Sequence, residues 1–209
     1  MKKIFILYSV LLSNFIFADQ WVNINSTNVK SSDLNIISSD FESTYLEFKL
    51  DGFNKKSIFI NDVEHTKVSF PGSASNLDSG YPDLPSLSKS IIIPNDGLMN
   101  IETIKQEYVE FDNMYIVPSK GNISREVDPS TINYFFNDVY INDLNYPDNN
   151  AELRDPYILR DFRGQTVTFN PFSYNPITKK LRVYTYLKIR VYNEGVDQRN
   201  VLNDKVFNK

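Results

Sequence analysis

From Thr44 onward, apolar and polar residues alternate with the two-residue period of a half-buried strand. Leu46, Phe48 and Leu50 fall on one side, Glu47 and Lys49 on the other. Asp51-Gly52 follows and reads as a turn. Val63, Thr66, Val68 and Phe70 suggest a second strand, ended by Pro71-Gly72. The phrase Gly80-Tyr81-Pro82-Asp83-Leu84-Pro85 reads as a loop whose φ angles are largely pre-set by its prolines. A short apolar strand at Ser90–Ile93, a turn at Pro94–Gly97 and an alternating stretch from Ile101 to Val109 come next, and Tyr115-Ile116-Val117 precedes Pro118. The clearest pattern lies near the C-terminus. Thr166–Phe169 and Leu181–Val191 flank a turn-rich segment and read as a long hairpin. On its second strand Leu181, Val183, Thr185, Leu187, Ile189 and Val191 share the core face, while Arg182, Tyr184, Tyr186, Lys188, Arg190 and Tyr192 share the other. Many short strands with frequent turns, and no helical stretch of convincing length, predict an all-β fold: an antiparallel β-sandwich, jelly-roll-like.

The ends of the chain read differently. Lys2 and Lys3 precede an apolar run from Ile4 to Phe17 that closes on Ala18. A basic start, an apolar run shorter than the roughly 20 residues of a spanning helix, and a small residue before Asp19 read as a signal peptide over residues 1–18. Residues 19–43 are a polar lead-in expected to be irregular, 44–195 the β domain, and 196–209 a polar tail. Losing Lys2 and Lys3 lowers the formal net charge by two, from −4 to −6. An acidic domain is a poor prospect for nucleic acid, which needs clustered Lys and Arg. An exported chain without cysteine points to a bacterial envelope or extracellular setting.

The absence of cysteine also removes thiol nucleophiles, disulfides and Cys-type metal sites. With His65 the single histidine, any Ser/His/Asp triad would have to use it. His65 lies in a predicted strand between Glu64 and Thr66, with no marked partner, and reads as facing solvent or a nearby carboxylate. The Asp143–Asn150 cluster lacks the ligand spacing of a calcium loop and reads as solvated; Asp148, Glu152 and Asp155 add carboxylates whose separation in space the sequence does not give. No catalytic residue, metal site or cofactor is expected.

Four phrases carry more information. They are Gly80–Pro85 with Ser88-Lys89-Ser90; Pro118-Ser119-Lys120-Gly121-Asn122-Ile123-Ser124-Arg125; Asp155–Gln165; and Tyr174–Thr185. In this order and at these separations they closely resemble the N-terminal propeptide of the gingipain family of secreted bacterial cysteine proteases, from about Gly80 to Val191. The resemblance implies a β-sandwich that caps a gingipain-like catalytic domain, keeps it latent during export and assists its folding. It also implies a loop that presents a basic residue to the protease specificity pocket. The matching phrase places that residue at Arg125, beside Ser124, with Lys120 as the nearest competitor. A guanidinium suits the task, since it can donate two parallel hydrogen bonds to a carboxylate. Pro118 and Pro129 bracket the loop and lower the entropy lost in holding it.

In that family the catalytic Cys and His follow the propeptide, whereas this sequence ends at Lys209. The expectation is therefore a non-catalytic prodomain, whether a truncated precursor, a separately encoded propeptide or a fragment. Arg160 or Arg163 is expected to pair with Asp155 or Asp161, and Gly164 to allow a turn or bulge. Arg163, Tyr184 and Tyr186 form a candidate docking face. A rival reading is a secreted β-sandwich binding module using Tyr184, Tyr186 and Tyr192 for a glycan or surface partner, if those rings line one groove.

Overall fold

A computed structural model describes residues 19–25 and 30–202. The segment read as a signal peptide lies outside them, as does the tail beyond Leu202. The strands are β1 (Gln20–Asn23), β2 (Ser32–Ser39), β3 (Ser43–Leu50), β4 (Gly52–Ile60), β5 (Val63–Ser69), β6 (Leu87–Ile92), β7 (Gly97–Phe111), β8 (Ala151–Leu153), β9 (Tyr157–Leu159), β10 (Phe162–Phe169), β11 (Phe172–Asn175) and β12 (Lys180–Val196). All pairings between these strands are antiparallel, as the all-β expectation requires.

Strand β12 is the spine. One edge pairs with β7 along almost its whole length; the other pairs first with β11 and then with β3, which carries β2 outside it. A second sheet joins β6, β10 and β8, with β9 also on β10, and a third joins β1, β4 and β5. Alternation explains the burial: Leu46, Phe48 and Leu50 on β3, and Leu181, Val183, Leu187, Ile189 and Val191 on β12, are fully buried. Each such side chain contributes about 1.5–3 kcal/mol. The Phe48 ring lies 5.9 Å from Phe169 of the second sheet and 5.9 Å from Phe70 at the end of β5. Phe172 lies 5.5 Å from Phe53 of β4. One aromatic core therefore joins the three sheets into the sandwich.

Several expectations are corrected. The long hairpin has a different first strand: β11, placed in the turn by sequence, pairs with β12, whereas Thr166–Phe169 belongs to β10 in the other sheet. The chain crosses between sheets at Asn170-Pro171, where proline cannot donate to a ladder. Asp51-Gly52 is a corner rather than a reversal, because β3 and β4 lie in different sheets. A Cβ on Gly52 would sit 2.3 Å from the Val22 carbonyl oxygen, so only glycine lets β1 approach. The lead-in is also ordered into β1 and β2. Asp51 holds it: its carboxylate accepts from Ser31 Oγ and from Asn25 Nδ2 (2.9 Å), and its carbonyl accepts from Ile24 N–H (2.9 Å). The two side-chain bonds hold the Asp51 carboxyl below the usual carboxylate range. On β12 a bulge between Tyr184 and Tyr186 leaves Thr185 half-buried and turns Tyr184 inward.

Candidate functional site

Two proline-bounded loops, Gly80–Pro85 and the segment from Pro118 to Tyr134, are joined to each other. Gly80 N–H donates to the Ser119 carbonyl (2.9 Å), Ser119 N–H to the Tyr81 carbonyl (2.7 Å), and Asp83 N–H to the Val117 carbonyl (2.9 Å). The buried Ser119 hydroxyl donates to the Asn76 carbonyl (2.5 Å) and accepts from Gly121 N–H (3.0 Å). Asp83, also buried, pairs through one oxygen with Lys67 Nζ of β5 at 2.9 Å. Gly80 has φ +82°, and a Cβ there would meet the Phe135 ring at 2.5 Å. The segment entering the loop is pinned by two tyrosines: Tyr174 Oη donates to the Met114 carbonyl (2.9 Å) and Tyr140 Oη to the Ile116 carbonyl (3.0 Å). Burial pushes the Tyr174 phenol up to about 12 and raises Tyr140 as well.

On this base the two basic candidates separate. Lys120 folds back: its Nζ donates to the Pro129 carbonyl at 2.7 Å and lies 4.3 Å from the centre of the Tyr134 ring. Arg125 lies near the middle of the loop sequence. Val127 N–H donates to the Ser124 carbonyl (3.0 Å), which closes a turn with Arg125 at its first central position. Arg125 is exposed, and its guanidinium has no hydrogen bond or ion pair among the described residues. Ser124 Oγ accepts from Glu126 N–H (3.4 Å) and supports the same turn. Asp128 caps the short helical turn Pro129–Thr131 by accepting from Ser130 N–H (2.9 Å).

The other predicted site residues are placed elsewhere. Arg163 is not on a docking face; it is 1% exposed, and its five N–H donors are all used within the chain. Asp155 pairs with Arg199 (2.8 Å) instead of with Arg160 or Arg163. Gly164 serves close packing rather than a turn, because a Cβ would sit 2.8 Å from the Tyr157 ring. Tyr184 is buried beside Tyr108, their rings 5.8 Å apart. Tyr186 donates to Glu47 (2.8 Å) and lies between Lys49 and Lys105, while Arg190 lies 5.0 Å from the Tyr192 ring. These rings are each engaged by neighbouring side chains, and Tyr184 is buried while Tyr186 and Tyr192 are only half-buried. His65 is buried, with Nδ1 on the Val63 carbonyl (3.0 Å) and its ring against Phe136; it faces neither solvent nor a carboxylate. Asp143 accepts from Asn175 Nδ2 (2.8 Å).

Four residues build the loop's base: Ser119 and Asp83, which the matching phrases contain but to which sequence reasoning gave no role, and Asn76 and Lys67, which it missed. Their partners lie far along the chain, and no local periodicity marks them. The two prolines of the Tyr81–Pro85 phrase, with Pro118 and Pro129, were the visible sign that this backbone is fixed.

Comparison with known proteins gives a consistent result. The Propeptide_C25 family model matches residues 25–209. Gingipain R1 of Porphyromonas gingivalis is 33% identical over 199 residues, 95% of this chain and 20% of the relative. Gingipain R2 of the same species is 30% identical over 196 residues, 94% of this chain and 26% of the relative. The chain thus spans a fifth to a quarter of these relatives. Among solved structures, the complex of Porphyromonas gingivalis RgpB pro- and mature domains superposes with a TM-score of 0.78 at 31% identity, covering 82% of this chain and 90% of that one. A structure bearing on the zymogenic latency of gingipain K from Porphyromonas gingivalis, at 16% identity and a TM-score of 0.68 over 86% of this chain and all of that one, shares the fold. With a β-sandwich, an anchored basic loop and this extent of similarity, the chain belongs to the C25 propeptide family, the non-catalytic prodomains of gingipain-type cysteine protease zymogens.

Proposed function

We propose that this prodomain keeps a gingipain-like cysteine protease latent, in cis or in trans, by presenting Arg125 to the protease's specificity pocket, and that it assists the protease's folding. The observation that carries this reading is the contrast within one loop. Lys120 is spent on closing the loop, while the Arg125 guanidinium stands exposed without a partner among the described residues. A free guanidinium on a braced loop can enter a pocket and donate two parallel bonds to a carboxylate, with little ordering entropy left to lose. The basic start and apolar run before Ala18 support export of the chain to the bacterial envelope or exterior. Similarity to gingipain R1, and to a prodomain solved in complex with its mature domain, supports a gingipain-type catalytic domain as the partner.

The test is inhibition of an Arg-specific protease of this family by purified residues 19–209. Inhibition by the parent chain and its loss in Arg125→Ala is the expected result. Undiminished inhibition by Arg125→Ala would overturn the assignment of the loop.

A further inference from the structure

The buried Arg163 side chain joins the C-terminal strap from Asp197 to Leu202 to the sandwich, beside a bond from Asp197 N–H to the Asp96 carbonyl (2.7 Å). Arg163 Nη1 donates to the carbonyls of Pro94 (3.0 Å) and Gly97 (2.8 Å), which lie before and at the start of β7. Its Nη2 donates to Asp197 Oδ2 and to the Arg199 carbonyl, both at 2.9 Å, and its Nε donates to the Asn200 carbonyl (3.1 Å). The guanidinium fork thus spans the strap and the Pro94–Gly97 turn.

We propose that Arg163 is a latch that withholds the Arg199–Asn200 peptide bond from proteases specific for basic residues. Such a protease must take the arginine side chain into its pocket and the arginine carbonyl into its oxyanion hole. Both groups are already engaged. The carbonyl of Arg199 accepts from Arg163, and its guanidinium reaches Asp197 (3.1 and 3.2 Å) and Asp155 (2.8 Å). Its N–H also donates to Asp197 Oδ1 (2.9 Å). Asn200 stands at φ +47°, away from the extended geometry of a bound substrate, and its Nδ2 donates to the Pro156 carbonyl (2.7 Å). Beyond it, Leu202 and Asn95 exchange two bonds of 2.6 and 3.1 Å. Scission at Arg199 therefore requires local opening of the strap, which first breaks three of the five bonds of the buried Arg163 guanidinium, those to Asp197, Arg199 and Asn200. Arg125 contrasts with this: its side chain is exposed and has no partner among the described residues, and its turn is closed by one backbone bond. A prodomain facing a basic-specific protease can in this way carry two arginines with opposite fates.

Limited digestion of the full chain with trypsin, with cut sites mapped by mass spectrometry, tests the latch without depending on what Arg125 binds. Cleavage after Arg199 is expected to be at least about a hundredfold slower in the native chain than in the urea-unfolded chain. In Arg163→Lys, which keeps the buried charge but loses the fork, the native rate at Arg199 is expected to rise about tenfold or more. Arg182 and Arg190 of β12 should stay protected. Asp155→Ala, which releases only the exposed arm of Arg199, should raise the rate about threefold. Three results overturn the proposal: equal native and unfolded rates at Arg199 in the parent, no change in either variant, or cleavage across β12 together with Arg199 in Arg163→Lys. The last would make Arg163 a general core residue.

Discussion

Lys120 Nζ donates to the carbonyl of Pro129, nine residues further on, and this single 2.7 Å bond closes the loop that carries Arg125. The geometry makes Lys120 a brace and leaves the exposed Arg125 guanidinium without a hydrogen bond or ion pair among the described residues. Replacing Lys120 with Met removes the bond and the contact with Tyr134. Inhibition of an Arg-specific gingipain-type protease should weaken about fivefold, the effect of about 1 kcal/mol of lost preorganisation. The sandwich's thermal midpoint should barely move. Loss of inhibition as complete as in Arg125→Ala would show that Lys120 itself is the presented residue.

Gly80 is the joint between the loops. An alanine there must adopt φ +82° and push its Cβ into the Phe135 ring. Gly80→Ala should cost roughly 2 kcal/mol or more in denaturant unfolding, while Gly195→Ala, with open space around it, should cost well under half as much.

Tyr174 gives an alkaline signature. Its folded phenol titrates at about 12, above the ordinary value near 10. A raised acid means that the neutral form is favoured by folding. The stability it contributes is therefore complete below about pH 10 and is lost as pH rises through about 12. Phenolate absorbance should show a late-titrating component that Tyr174→Phe removes, and chemical unfolding should show weakening over the same window.

Asp51 shows the opposite sign. Ser31 and Asn25 hold its carboxyl below the ordinary range, so its contribution is present above the unfolded value near 4 and is lost as pH falls through the lower folded value. Asp51→Ala should loosen β1 and β2 at neutral pH, read as faster hydrogen exchange of the Gln20–Asn23 amides, while β12 keeps its protection.

The strands were legible where alternation is strict. Leu46, Phe48 and Leu50, like Leu187, Ile189 and Val191, lie on the core face they announce, because a period of two is a local property of an extended backbone. The lead-in strands were not legible, since β2 is an outer strand with mostly exposed residues and β1 is held through Asp51 and Gly52. The loop phrase could be read by resemblance, and with it Arg125. Which of Arg125 and Lys120 stands free could not be read, because both are basic residues in one polar stretch.

Composition, alternation and the four matching phrases are written along the chain, and they alone mark an all-β, cysteine-free domain of the gingipain propeptide type. The packing of the folded chain set the partners. It put β10 and β11 into different sheets, buried Arg163 as a donor to the strap instead of leaving it on a docking face, and gave Lys120 to Pro129. The physical reason is the same in each case: a hydrogen bond or a ladder is satisfied by whatever the fold brings within about 3 Å, and that neighbour can lie anywhere in the chain.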